Sequence, residues 1–382
     1  MLKIGGAGLV GTGLAGCLGG GGGGGDDETT TESGGDSTES GDTTADSTTT
    51  ESEATNVGMV YATGGLGDNS FNDMAHKGIK SAKSEFNVEF KNAEPSSPGD
   101  VAALQRKFAR SNNPDYDLIS CIGFVQTSAL KKNAKRFGDQ KFMAVDTVVE
   151  QPNVSNYVFK EHQGSFQVGH LAGLLTSREF SAGAGETNDD LVVGFVGGRE
   201  VPLIKKFEAG YRAGVRFADP GIEVRSAFAQ SFSDPATGQE IALSMYDQGA
   251  DIVYHAAGGT GNGVFRAAAD RGRYAIGVDA DQSVSIPEFS DVIVASMVKR
   301  VDEAVFTAVE SVVNDTFDGA TNRLGLEEGG VEAVIGQDFT DAIPEDVTQA
   351  LSESRQAIVE GDISVPTEPG AVGETTTETT TT

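Results

Sequence analysis

The chain has 382 residues, 38% of them hydrophobic, with 51 glycines and a formal net charge of −29. Its length allows two domains of roughly 100–200 residues each, and so acidic a surface repels phosphates, which excludes a nucleic-acid-binding role. No apolar stretch approaches the roughly 18–20 residues of a membrane span, and two cysteines, at positions 17 and 121, are too few for a disulfide framework.

The first segment, residues 1–17, reads as a signal peptide. Lys3 is its only charge, and an apolar, glycine-rich stretch ends in Leu14-Ala15-Gly16-Cys17. Small residues before a cleavage point admit a signal peptidase, and a cysteine directly after them resembles the lipobox of bacterial-type lipoproteins, with Cys17 the lipidated residue. The segment also resembles the end of a twin-arginine signal whose basic start would precede Met1. Gly6-Ala7-Gly8-Leu9-Val10-Gly11 fits G-x-G-x-x-G, but no strand comes before it, so it is not a dinucleotide fingerprint.

Residues 18–55 are almost entirely glycine, threonine, serine, aspartate and glutamate, with almost nothing to bury. Such a tract cannot offset the entropy of folding, and its charges extend it into a tether. A Thr-rich tail over 366–382 has the same character. The acidity that remains in the folded region is tolerable where salt screens it, since the Debye length falls to roughly 3 Å at 1 M. A halophilic setting is expected.

Between the tether and the tail, strands alternate with helices. Strands are predicted at Val57–Thr63, Val88–Lys91, Leu118–Ile122, Lys141–Val145 and Tyr157–Phe159, and helices at Phe71–Glu85, Asp100–Arg110 and Thr127–Phe137. The second half repeats the scheme. Its strands are Leu191–Val196, Val224–Ala229, Asp251–His255, Tyr274–Val278 and Val292–Val298. Its helices are 163–176, Pro202–Phe217, Pro235–Gln248, Gly261–Arg271, Val301–Val313 and Glu345–Glu360. Helices of this length between strands imply parallel sheets covered on both faces, in an α/β class with two doubly wound lobes. Ligands bind such sheets at the carboxyl ends of their strands.

The residues at those ends therefore matter most. After the first strand comes Gly64-Gly65-Leu66-Gly67-Asp68-Asn69-Ser70-Phe71-Asn72-Asp73, in which Ser70 is placed to cap the helix. Asp146, Phe232, the glycine-rich loop Gly258–Gly263, Asp279 and Lys299 follow later strands. An enzyme finds little support here. The glycine loop lacks the Lys-Ser/Thr of a P-loop, no G-x-S-x-G elbow is present, and His76, His162, His170 and His255 form no i, i+4 pair for a metal. Most of these histidines are assigned to the surface or to caps, and Cys121, in an apolar strand, to an inert buried thiol.

Six segments in order resemble the basic membrane protein family, the solute-binding lipoproteins of ABC importers, whose best-understood members look like purine-nucleoside receptors. They are GGLGDNSFND at 64–73, VGGREVPLIKKFEAGYRAG at 196–214, SFSDPATGQEIA at 231–242, AAGGTGNGVF at 256–265, GVDADQ at 277–282 and SMVKRVDEAV at 296–305. The resemblance implies a type I periplasmic-binding-protein fold, with two lobes joined by a three-segment hinge and closing on the ligand. Lobe one would be 56–160 plus 280–318, and lobe two 161–279 plus 319–365. It implies no cofactor and no metal, a monomer, an ABC permease as partner, and a lipid anchor on the outer face of the cytoplasmic membrane.

By the same resemblance, Phe71 and Phe232 would sandwich a flat base as the lobes close. Asn72 would meet the base edge with its donor and acceptor, and Asp146 would accept a hydrogen bond from base or ribose. Asp279 would accept from two ribose hydroxyls, Lys299 would donate to a nearby oxygen, and backbone N–H groups at Gly259 would approach the sugar. An ion pair between Asp279 and Lys299 across the lobes is the competing reading. Where family members often carry an acid near the end of the first strand, this chain has Ala62. A sugar or autoinducer as solute, or a sensing role on the same fold, stays open.

Overall fold

The computed structural model describes residues 53–370. The expected signal peptide, Cys17, the tether as far as residue 52 and the tail from 371 onward lie outside the described residues. Among the described residues no helix is long and apolar enough to cross a membrane.

The chain opens with β1 (Thr55–Val60), α1 (Phe71–Glu85), β2 (Val88–Ala93), α2 (Val101–Ala109), β3 (Leu118–Cys121), α3 (Thr127–Arg136), β4 (Lys141–Val145) and β5 (Val154–Phe159). β1 takes in Thr55, the last residue assigned to the tether. Next come α4 (Glu161–Thr176), a small hairpin of β6 (Ser181–Ala182) and β7 (Gly185–Glu186), β8 (Val192–Gly197), α5 (Pro202–Ala218), β9 (Glu223–Phe228) and α6 (Pro235–Tyr246). The chain continues through β10 (Ala250–Ala256), α7 (Asn262–Arg271), β11 (Tyr274–Asp279), a single turn α8 (Gln282–Ser285), β12 (Ile293–Lys299) and α9 (Val301–Val313). It closes with β13 (Thr321–Leu324), β14 (Val331–Ile335) and α10 (Glu345–Glu360).

Local chemistry sets many of these limits. Proline stands in the first turn of both α5 and α6, where a missing N–H costs nothing. Asp234 caps α6 by accepting from the Thr237 N–H at 3.1 Å. Gly361 ends α10 in the left-handed conformation with φ 87°.

The strands form two six-stranded sheets, ordered β13-β5-β4-β3-β1-β2 and β14-β12-β11-β10-β8-β9. Within these two sheets all pairs are parallel except β12 with β14. The two orders match strand for strand, so each lobe is one copy of the same doubly wound pattern. Strands β8, β10, β11 and β12 are buried along their whole length, as expected where helices cover both faces.

The lobe boundaries read from sequence need correction. β12 pairs in parallel with β11 and belongs to the second sheet, whereas α9 packs on α1 and β13 pairs with β5 in the first. A wholly buried strand such as β12 is stable only between covered neighbours, and its neighbours are β11 and β14. Lobe one is therefore 55–160 with 300–324, and lobe two 161–299 with 325–365. The chain crosses between them after β5, after β12 and between β13 and β14.

The net charge of −29 carries an expected result for this fold. In tens of millimolar NaCl, repulsion among surface carboxylates is unscreened, so the protein is expected to melt several degrees lower than in molar NaCl. A melting temperature independent of salt, followed by calorimetry, would contradict the halophilic reading.

Candidate functional site

The carboxyl ends of the strands of both sheets face one cleft between the lobes. It takes in about 670 Å³ of empty space, its open mouth included. Phe71, Asn72, Asp146, Phe232, Asp279 and Lys299 all line it, together with Asp68, Phe124, Phe207 and Gly258. Gly259 does not. The turn Gly258–Gly261 puts Gly258 at the wall, with φ 55°, and sets Gly259 behind it against Asp68 and the Phe232 carbonyl.

One wall is the start of α1. Asp68, not Ser70, satisfies its first N–H groups. The Asp68 carboxylate accepts from the N–H of Ser70 (2.9 Å), Asn72 (3.0 Å) and Asp73 (3.2 Å), and from Asn72 Nδ2 (3.0 Å). Burial pushes the Asp68 carboxyl up, and the hydrogen bonds from these donors at the positive end of the helix oppose that by favouring the carboxylate. Asn72 Oδ1 accepts from the Ala62 N–H at 2.9 Å. Most of that amide is therefore committed within the lobe, and one N–H is left for the cleft.

Freed from capping, the Ser70 hydroxyl reaches the other lobe and donates to Asp279 Oδ2 at 2.5 Å. Asp279 closes β11 at φ 65°, a conformation that aspartate tolerates better than most residues. Burial pushes its carboxyl up to about 7, and Lys299 and Ser70 offset this only in part.

Lys299 does not pair with Asp279. Its ammonium lies 2.6 and 2.7 Å from the two oxygens of Asp146, in lobe one, and 3.2 Å from Glu161 at the head of α4. Three rings surround it, those of Phe71, Phe159 and Phe207, with centroids at 5.1, 4.9 and 5.6 Å. Burial alone would lower its pKa. The carboxylates of Asp146, Glu161 and Asp279 outweigh that and hold it above the usual lysine range. Glu161 also meets Lys206 at 2.5 Å, and the two ammonium groups keep it below the ordinary glutamate value despite burial. The inter-lobe ion pair exists, with a different acid from the one named from sequence.

The two predicted aromatic residues stand on opposite lobes. Phe71 opens α1 and Phe232 lies in the loop after β9, where its ring covers Gly198 so closely that a Cβ there would sit 2.3 Å away. The ring set edge-on to Phe232 is Phe124, at 6.4 Å from the facing lobe.

Asp68, Phe124, Glu161 and Ser70 as a partner of Asp279 were missed from sequence. Only Asp68 carried a usable signal, an acid just ahead of a helix start. The histidine assignment is corrected too, because His255 and His170 are buried, 0% and 4% exposed. Cys121 is a buried free thiol, as expected.

A family model described as "ABC transporter substrate-binding protein PnrA-like" matches residues 55–368. The CD4+ T-cell-stimulating antigen of Listeria monocytogenes is 36% identical over 82% of this chain and 88% of its own length. An uncharacterized lipoprotein of Pyrococcus furiosus is 32% identical, covering 82% of each chain. The ABC transporter nucleoside-binding protein BmpA of Lactococcus lactis is 30% identical over 81% of this chain and 88% of its own. A solved solute-binding protein of an ABC transporter system from Aeropyrum pernix superposes with a TM-score of 0.71 at 28% identity, covering 82% of this chain and 93% of that one. Two parallel-sheet lobes around one cleft are the type I solute-binding fold, and the family it serves is one of carriers, not enzymes. The chain belongs to the Bmp family of PnrA-like ABC transporter substrate-binding proteins.

Proposed function

We propose that this chain is a lipid-anchored receptor outside the cytoplasmic membrane that captures a nucleoside, purines preferred, and delivers it to an ABC permease. The observation that carries the reading is one cleft with phenylalanine rings on both lobes and a buried carboxylate at its floor. The rings of Phe71 and Phe232 suit a flat base, and Asp279 suits a pair of vicinal hydroxyls. Lys299 would share with a sugar oxygen one of the N–H groups that now face Asp146 and Glu161. Asn72 would offer its remaining N–H to the base edge, and the Gly258 backbone would approach the ribose. Asp146 would act through Lys299, by holding the ammonium in place. The nucleoside-binding name of the Lactococcus relative supports the ligand class. The lipoprotein name of the Pyrococcus relative supports anchoring through Cys17.

Calorimetric titration in molar NaCl with adenosine, guanosine, inosine, uridine and ribose tests this. Purine nucleosides are expected to bind most tightly and ribose weakly. Tight binding of ribose with none of the nucleosides would replace the reading with a sugar receptor. Adenosine 5′-monophosphate is expected to bind at least tenfold more weakly than adenosine, because the cation in the cleft is already engaged and Asp68 and Asp279 repel a phosphate. Replacing either Phe71 or Phe232 by alanine is expected to cost about 1–3 kcal/mol of affinity, as base–aromatic stacking does elsewhere. Losses of a few tenths would return both rings to a packing role.

A further inference from the structure

Gln282 does not line the cleft, yet it is wholly buried and bonded to both lobes. Its side-chain Nε2 donates to the Asn69 carbonyl across the cleft mouth at 3.0 Å. Its Oε1 accepts from the Val278 N–H at 2.8 Å and faces His255 Nε2 at 2.9 Å. Its own backbone N–H donates to Ser296 Oγ at 3.0 Å.

Each partner fixes the next. Burial holds His255 at about 4, so the ring is neutral at ordinary pH, and its Nε2 must carry the proton to donate to an amide oxygen. That donation, with Val278, orients the amide so that its nitrogen faces lobe one. Gly277 makes room, since a Cβ there would stand 2.8 Å from Oε1. On the other side, Asp73 accepts from the N–H groups of Gly67 (2.9 Å) and Asn69 (2.7 Å), and Asn69 sits at φ 52°. Both halves of the contact are thus braced within their own lobes before they meet.

We propose that Gln282 is a closure latch, a positioning residue that stabilises the closed arrangement of the two lobes without touching the ligand. The Ser70–Asp279 hydrogen bond lies beside it but involves a residue assigned to the ligand, whereas the Asn69–Gln282 bond needs no solute. A receptor whose closed form is only partly populated binds with its intrinsic constant divided by that population. Losing the latch therefore weakens every ligand by one common factor. The latch serves whatever solute the cleft takes, so it stands or falls separately from the nucleoside assignment.

Gln282→Glu keeps the acceptor toward Val278 and His255 and removes the donor toward Asn69. The ligand-free variant is expected to show a larger radius of gyration than wild type in small-angle X-ray scattering. Adenosine and ribose are each expected to bind it more weakly by the same factor, about fivefold to tenfold. Gln282→Met, similar in volume, gives the same readouts if the new carboxylate prevents folding. An unchanged radius of gyration in a folded variant would overturn the proposal. So would unequal losses for the two ligands, which would place Gln282 in contact with the solute.

Discussion

Asp279→Asn is expected to weaken nucleoside binding by at least about a hundredfold while the protein stays folded. Hydrogen bonds to a charged group contribute roughly 1.5–3 kcal/mol each, and this carboxylate would accept two. Asparagine is the informative substitution because it tolerates the positive φ of 65° and can still accept from Ser70. Alanine at the same position would add backbone strain to the loss of the acceptor. The pH dependence has a definite sign. Burial raises Asp279 to about 7, so the ligand-free fold holds a proton that the unfolded chain, titrating near 4, releases. Stability from this group is therefore greatest below about 4 and is lost as pH rises toward 7. Binding runs the other way, because a ligand that needs the ionised form releases that proton. Affinity is expected to rise between pH 6 and 8 in the wild type and to stay flat in Asp279→Asn. Calorimetry in two buffers of different ionisation heat would count the proton released, and none released would remove Asp279 from the sugar.

Lys299→Met is expected to have the largest effect on stability, about 3–5 kcal/mol. Methionine keeps the unbranched stem and ends one atom short of the ammonium, so most of the loss is electrostatic. It strands the carboxylates of Asp146 and Glu161, both buried, with only Lys206 nearby to compensate. The unfolding midpoint in urea measures it. Adding Asp146→Asn and Glu161→Gln to the same chain is expected to recover much of the loss, since no buried charge is then left without a partner. If the single variant is as stable as wild type, the ammonium is not the tie between the lobes that its geometry describes.

The helices Phe71–Glu85, Val301–Val313 and Glu345–Glu360 and the strand Lys141–Val145 were legible to the residue. Their ends coincide with changes in apolar period or with turn residues, which are local signals. β13 and β14 were not, because Thr-Asn-Arg-Leu and Val-Glu-Ala-Val-Ile are short, half-exposed edge segments without a continuous apolar run. The place of β12 could not be read for a different reason. A buried strand carries no mark of which sheet it joins, and that choice is settled by β11 and β14 on either side. The same division holds at the cleft. The cleft positions of Asp146, Asp279 and Lys299 were legible because topology points to strand ends. Glu161, Phe124 and Gln282 act through partners more than a hundred positions away, on Lys299, Phe232 and Asn69. Ser70 shows how local reasoning misleads. It has the right chemistry for a cap, but Asp68 already fills that role, and the hydroxyl turns to the other lobe.

A crystal structure of the protein grown with adenosine in molar salt tests the central claim most directly. The base is expected between the rings of Phe71 and Phe232, with the ribose hydroxyls within hydrogen-bonding distance of Asp279. Adenosine bound elsewhere, or a base that touches neither ring, would contradict the account.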